Sequence, residues 1–246
     1  MSDQYLFNTI GVVHSPFRQK FGIPRQPGLC PSVPGSIELL SPYDLPDTLR
    51  GIGGFSHIWV LFVFHAIEKE KWNPLVRPPR LGGNERLGVF ATRSTHRPNP
   101  IGQSVVKLER IEQQNDRIIL HISGHDLLDE TPVLDIKPYI PYAENIQDAD
   151  SGFLTRTEFT LLQTIFTKEA ALQCQRWEKE NQQPLSDMLT EILQQDPRPA
   201  YHKKSNPQRE YGIQLYDLNI RYKLNGSTVE IVEILPIDET EFNLKT

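Results

Sequence analysis

The stretch "SVVKLERIEQQNDRIILHISGHDL", Ser104–Leu127, decides the architecture. Its β-branched arms flank the polar "EQQND", Glu112–Asp116, which is the pattern of a hairpin with a polar turn. Outward from it, "RLGVFAT" (Arg86–Thr92) and "PVLDIKPYI" (Pro132–Ile140) read as further strands. "FSHIWVLFVFH", Phe55–His65, is the most apolar run in the chain and reads as a central strand buried on both faces. Near the N-terminus "YLFNTIGVVHSPF" reads as a strand ending at Pro16, and "SIELL" (Ser36–Leu40) as a short one. Between them lies "QKFGIPRQPGLCPSVPG", Gln19–Gly35, too long for a hairpin turn and too proline-rich for a floppy linker. "SPYDLPDTLRGI" has the marks of a short helix or helical turn, with Ser41 as N-cap, Pro42 at the first helical position and Gly51 near its end.

Up to about Tyr142 the pattern is therefore many strands and few helices, and closing such a sheet into a barrel removes its edges. After "YAENIQDADSG" the character changes. "TKEAALQCQRWEKE" has helical spacing, with Ala171, Leu172, Cys174 and Trp177 near one face. "PLSDMLTEILQQDPRP" is a second helix, apolar at Met188, Leu189, Ile192 and Leu193 and stopped by Pro197. Two strands follow, "YGIQLYDLNIRYKL" and "STVEIVEILPI", joined at Asn225–Gly226. The fold expected is mainly β: a compact β-barrel N-terminal domain over 1–150 and a smaller α+β C-terminal domain over 151–246.

Length allows one large domain or one domain plus a small appendage, and composition suits a folded soluble protein. Of 246 residues 38% are hydrophobic and 23% charged, and no apolar run approaches the length that crosses a bilayer. The N-terminus lacks the basic flank and cleavage pattern of a signal peptide, so the cytoplasm is the default compartment. Cys30 and Cys174 lie far apart in unlike contexts, which suggests neither a disulfide framework nor a zinc site. The net charge of −5 argues against a nucleic-acid binder at first sight, but local distribution decides binding to phosphate. One basic stretch runs from Lys69 to Arg110 and a second is "RPAYHKKSNPQR", with Arg198, Lys203, Lys204 and Arg209. A solvated charged face is the plainer account of both.

No phosphate-binding loop, nucleophile elbow or paired-histidine zinc helix is present. "GIGGF", Gly51–Phe55, precedes a strand, whereas a dinucleotide fingerprint follows one. The distinctive chemistry lies in "ATRSTHRPNPIGQS", Ala91–Ser104, where Arg93, Ser94, His96, Arg97 and Asn99 supply directional donors and acceptors. Its prolines restrict the backbone and lower the entropy lost on binding. A binding loop and a rigid loop whose arginines pair with nearby carboxylates are both consistent with it. "GIPRQPG" likewise presents Arg25 and Gln26 between prolines. "HDLLDETPVLDIKPYIPY" offers Asp126, Asp129, Glu130 and Asp135, then Tyr139 and Tyr142, whose alternatives are hydroxyl binding, proton transfer, or capping and turn formation. His65 closes the apolar strand, where it faces a pocket or serves structure.

These pieces come in one recognisable order. "IGVVHSPF", "KFGIPRQPG", "GFSHIWVLFVFH", "GVFATRSTHRPNPIGQSVVKL", "DLLDETPVLDIKPYIPY" and "DPRPAY" together resemble the TsaA-like, or TrmO-like, family of S-adenosylmethionine-dependent tRNA methyltransferases. Two positions depart from that family: Thr95 stands where proline is usual, and Glu130 where glycine is common. The resemblance implies a compact β-barrel that binds S-adenosylmethionine, works as a homodimer and methylates tRNA. The product it implies is threonylcarbamoyladenosine methylated at its exocyclic nitrogen, beside the anticodon of threonine tRNA. It implies cofactor contacts from Pro24, Arg25, Gln26, His65, Arg93, Ser94, Asp126, Leu127, Leu128 and Asp129. Asp135 and Tyr139 are the candidates for base and positioning group, and Arg97, Lys107, Lys203 and Lys204 for tRNA contacts. The barrel and basic clusters alone equally permit a non-catalytic RNA- or nucleotide-binding module, and the family permits methyl transfer to another substrate.

Overall fold

Within a computed structural model of the chain, the described residues are 4–67, 72–81, 85–114, 117–156, 160–198 and 209–237. Six antiparallel strands close into a barrel. They are β1 (Gly11–His14), β2 (Pro34–Leu39), β3 (His57–Val63), β4 (Ile101–Gln114), β5 (Arg117–Ser123) and β6 (Pro132–Pro138). Their order round the barrel is β1-β2-β5-β4-β3-β6, with β6 returning to β1 through Gly11 opposite Val133. Closure leaves no long edge to pair with a stranger.

The barrel has one interior, so alternate residues fill it. Val13, Ile37, Ile58, Val60, Phe62, Val106, Leu120, Ile122 and Val133 form its core. This corrects the reading of Phe55–His65 as buried on both faces: Ile58, Val60 and Phe62 point inward, while Trp59, Leu61 and Val63 are only half-buried outside. The hairpin is also tighter than the sequence suggested. Gln114 pairs with Arg117, so Glu112–Gln114 belong to the strand and not the turn.

Two other local expectations change. Residues 86–92 hold a two-residue strand, Leu87–Gly88, and then a 3-10 turn, Val89–Ala91, which the Thr92 hydroxyl closes by donating to the Val89 carbonyl at 2.9 Å. Residues 41–52 form no helix from Ser41; the 3-10 turns are Pro46–Leu49 and Ile52–Gly54. Pro46 explains the later start, because its missing N–H is tolerated only in a first turn.

The second unit is a four-stranded sheet ordered β8-β9-β10-β7, carrying two helices. Its elements are β7 (Gln163–Phe166), α1 (Lys168–Asn181), α2 (Leu185–Leu193), β8 (Glu210–Leu215), β9 (Leu218–Asn225) and β10 (Thr228–Pro236). Strand β7, which the sequence reading missed, pairs parallel to β10. The run Tyr211–Leu224 is a hairpin and not one strand, turning at Tyr216 with φ 55°. Thr167 caps α1 by accepting from the Ala170 N–H at 3.2 Å. That helix buries Ala170 and Cys174, whereas Leu172, expected on the same face, is 59% exposed. In α2, Leu185, Met188, Leu189, Ile192 and Leu193 recur at helical spacing and are all buried.

The loop between β1 and β2 joins the two units. Phe17, Cys30 and Val33 lie in the same core as α1, α2 and β8–β10. Ser32 donates from both its N–H and its hydroxyl to Glu191, and the Tyr216 N–H donates to the Pro16 carbonyl at 2.8 Å. No helix among the described residues is long and apolar enough to cross a membrane.

Candidate active site

Antiparallel order fixes where the connections emerge. The C-terminal ends of β1, β3 and β5 pair with the N-terminal ends of β2, β4 and β6, so the loops 15–33, 64–100 and 124–131 leave the same end of the barrel. All three of the polar motifs lie in or beside these loops. They enclose a cavity of about 570 Å³, within the range of roughly 300–1,000 Å³ usual for small-molecule sites.

The loops are braced before any ligand arrives. Asp129 accepts from the Ser15 N–H at 2.8 Å and from Arg18 at 2.7 Å, and the Gly28 N–H donates to the Gly124 carbonyl at 2.7 Å. His125 is fully buried, and burial pulls its imidazole down to about 4, so the ring is neutral. Its Nε2 contacts the Pro34 carbonyl at 3.0 Å and its Nδ1 accepts from the Leu127 N–H at 3.3 Å. A Cβ on Gly35 would lie 2.5 Å from that Nε2, so the neighbouring strand needs glycine there.

Asp126 follows directly and faces the cavity. Ser104 donates its hydroxyl to Oδ1 at 2.6 Å. Burial raises the Asp126 carboxyl to about 6, against the opposing pull of that hydrogen bond and of the Arg93 charge. Arg93 bonds to the Gln26 side chain, tying the 92–97 loop to "GIPRQPG". Phe62 and Phe64 add aromatic surface and touch edge to face, with centroids 5.2 Å apart. Phe62 can lie there because residue 102 is glycine: a Cβ would sit 2.3 Å from the ring. His65 lines the wall, its imidazole pulled down chiefly by burial, with Nδ1 3.5 Å from the Thr131 hydroxyl.

Of the residues singled out from sequence, Pro24, Arg25, Gln26, His65, Arg93, Asp126 and Leu128 line this cavity. Arg97 lines it too, folding back to donate to the Thr92 carbonyl at 2.8 Å while its guanidinium lies 5.9 Å from the exposed Phe90 ring. Ser94 stays within its own loop, where its hydroxyl accepts from the His96 N–H at 3.3 Å. Leu127 is buried in the barrel core, and Asp129 is spent on the Ser15 and Arg18 brace. Asp135 and Tyr139 lie on and just beyond β6 at the outer wall. Asp135 pairs with Lys137, and Tyr139 meets Trp59 edge to face at 5.9 Å. Lys107 is on the outer wall of β4, 3.0 Å from Glu109. Lys203 and Lys204 lie outside the described residues.

Lining residues that sequence reasoning missed include Lys20, Trp59, Phe62, Gln103, Ser104 and Thr131. The signal for Ser104 was alternation: it is two residues from Gly102 on one strand, and both face inward and are buried. His14, Asp129 and Glu130 bring potential metal-ligand atoms within 4.8 Å of one another, but Asp129 is already engaged by Arg18 and Ser15.

Comparison with known proteins covers both units. A family model described as the tRNA-methyltransferase O N-terminal domain matches residues 12–145, and the TrmO C-terminal domain matches residues 160–237. The chain is 45% identical over 232 residues to a tRNA (adenine(37)-N6)-methyltransferase of Escherichia coli (strain K12), covering 94% of this chain and 98% of that one. It is 47% identical over 213 residues to a Pseudomonas aeruginosa protein named putative S-adenosylmethionine-dependent methyltransferase RcsF, covering 87% and 90%. A crystal structure of TrmO from Pseudomonas aeruginosa superposes with a TM-score of 0.78 at 37% identity, covering 95% of this chain and 99% of that one. With its barrel, its second sheet and the loops around its cavity all accounted for, the chain belongs to the TrmO family.

Proposed function

We propose that the chain is a tRNA methyltransferase that uses S-adenosylmethionine to methylate the exocyclic nitrogen of an adenosine beside the anticodon. The acceptor we favour is threonylcarbamoyladenosine in threonine tRNA. One observation carries the reading: a single cavity combines cationic side chains, a carboxylate held at its wall and an aromatic surface, on braced loops and the strand ends beside them.

The lining fits S-adenosylmethionine. Its carboxylate suits Arg25 or Arg93, its ammonium or ribose hydroxyls suit Asp126, and its adenine suits the aromatic surface of Phe62 and Phe64. Pro24, Gln26, His65 and Leu128 shape the same walls, while Ser94, Leu127 and Asp129 support them. When bound, that molecule supplies an electrophilic methyl group on a sulfonium that already carries its leaving group. The protein therefore chiefly aligns and excludes water. The acceptor nitrogen carries a proton and is conjugated with a carbonyl, so a base assists. Asp135 is the base we assign and Tyr139 its positioning partner, both on the outer wall beside Trp59. Arg97, Lys107, Lys203 and Lys204 meet tRNA phosphates, where charge adds affinity without reading sequence. Residues 1–150 form the methyl-transfer unit and 151–246 help hold the tRNA, in a cytoplasmic homodimer.

Calorimetry tests the donor site. Wild-type protein should bind S-adenosylmethionine at micromolar concentration. Arg93→Ala should bind it roughly 10- to 100-fold more weakly, the usual loss for a hydrogen bond to a charged group, with its melting temperature little changed. Wild-type affinity in Arg93→Ala would count against this cavity as the site.

A further inference from the structure

Trp59 lies between two recesses. One is the large cavity; the other, on the outer wall of β3, is also lined by Leu61, Lys137 and Glu144. Trp59 and Gln103 line both, so the two are separated by little more than those side chains. The register shows what the outer wall displays. Trp59 stands opposite Lys137 of β6, Leu61 opposite Asp135 of β6 and Gln103 of β4, and His57 opposite Lys107 of β4. Tyr139 meets His57 and Trp59 edge to face, at 6.4 and 5.9 Å.

The indole is also fixed in place. Trp59 donates its ring N–H to Glu144, whose other carboxylate oxygen accepts from the Ile140 N–H at 3.1 Å. A half-buried tryptophan with its polar edge satisfied keeps its remaining surface available at little entropic cost. Lys107 and Lys137 flank it, each in an exposed pair with a neighbouring carboxylate. Exposed pairs of that kind are weak and exchange readily for phosphate.

We infer that this outer wall is the acceptor subsite, where an unstacked purine of the tRNA lies on Trp59 with its backbone near Lys107 and Lys137. The inference rests on the methyl-transfer reading above and locates its second substrate. Chemistry on a base requires the base to leave its stack, and aromatic side chains then replace the lost neighbours. A purine on Trp59 reaches the donor cavity past Gln103, and Asp135 and Tyr139 border it from β6.

Two measurements on each variant test it: S-adenosylmethionine affinity by calorimetry, and affinity for native threonine tRNA by filter binding. Base–aromatic stacking is worth roughly 1–3 kcal/mol, so Trp59→Ala should weaken tRNA binding about 10- to 100-fold. Its affinity for S-adenosylmethionine should fall clearly less than its affinity for tRNA, because Trp59 only edges the donor cavity, and Trp59→Phe should retain most tRNA affinity. A Trp72→Phe/Trp177→Phe protein, with Trp59 as its sole indole, should lose fluorescence on adding tRNA. Unchanged tRNA affinity in Trp59→Ala overturns the subsite. So does an equal loss of S-adenosylmethionine binding, or sedimentation showing that the substitution merely splits a dimer. Failure of the wild type to bind S-adenosylmethionine would strike the methyl-transfer reading instead, while the tRNA titration still reads the stacking.

Discussion

Asp126 is held away from water at the cavity wall, and the cost appears in its titration. Its carboxyl rises from 3.8 to about 6, so between those pH values the folded protein binds more protons than the unfolded chain. Stability therefore falls as pH rises through that window, by up to roughly 3 kcal/mol above it. Asp126→Asn keeps an oxygen for the Ser104 hydroxyl and removes the charge. We expect the variant to be more stable than wild type by about 1–3 kcal/mol at pH 8 and equal to it near pH 4, read from urea midpoints. An equal gain at both pH values would mean that ionisation is not the cause. At this scale Arg25, Gln26 and Arg93 were legible because prolines flank or follow them. Ser104 was not, because its role depends on a carboxylate 22 residues away. Glu130 is a further residue-scale result: it adopts φ 61°, a conformation that favours glycine.

Strand β4 shows how an element serves both the barrel and the site. Its first residues, Ile101–Ser104, line the cavity, and its later inward residues Val106 and Leu108 fill the barrel. Gly102 stands opposite Phe62 on β3, and the ring occupies the space a side chain would take. Gly102→Ala should push the Phe62 ring aside, destabilising the protein by about 1–3 kcal/mol. It should also weaken S-adenosylmethionine binding, measured by denaturation and calorimetry on one preparation. Loss of stability with donor affinity intact would remove Phe62 from the binding surface. Strands β3 to β6 were readable from apolar and β-branched runs. The failures have a common cause: Leu87–Ala91, Ser41–Ile52 and the Tyr216 turn depend on single-residue turn geometry that apolar runs do not report.

For the whole molecule, barrel closure was expected from the run of strands up to Tyr142, and the α+β second unit from the change of character after it. The sharing of a core was not. Phe17, Cys30 and Val33 sit in a proline-rich loop, and nothing local says that they pack beneath α1 and α2. That packing holds one wall of the cavity against the second unit, so cavity and C-terminal unit are mechanically continuous through the 15–33 loop. The motifs likewise come together only because three loops leave one end of the barrel. Methyl transfer to tRNA can be read from the product itself. Purified protein is incubated with S-adenosylmethionine and threonine tRNA from cells lacking the enzyme, and the digested nucleosides are weighed by mass spectrometry. Threonylcarbamoyladenosine should gain one methyl group on its exocyclic nitrogen; no gain, or a methyl group on a different nucleoside, would overturn the proposed function.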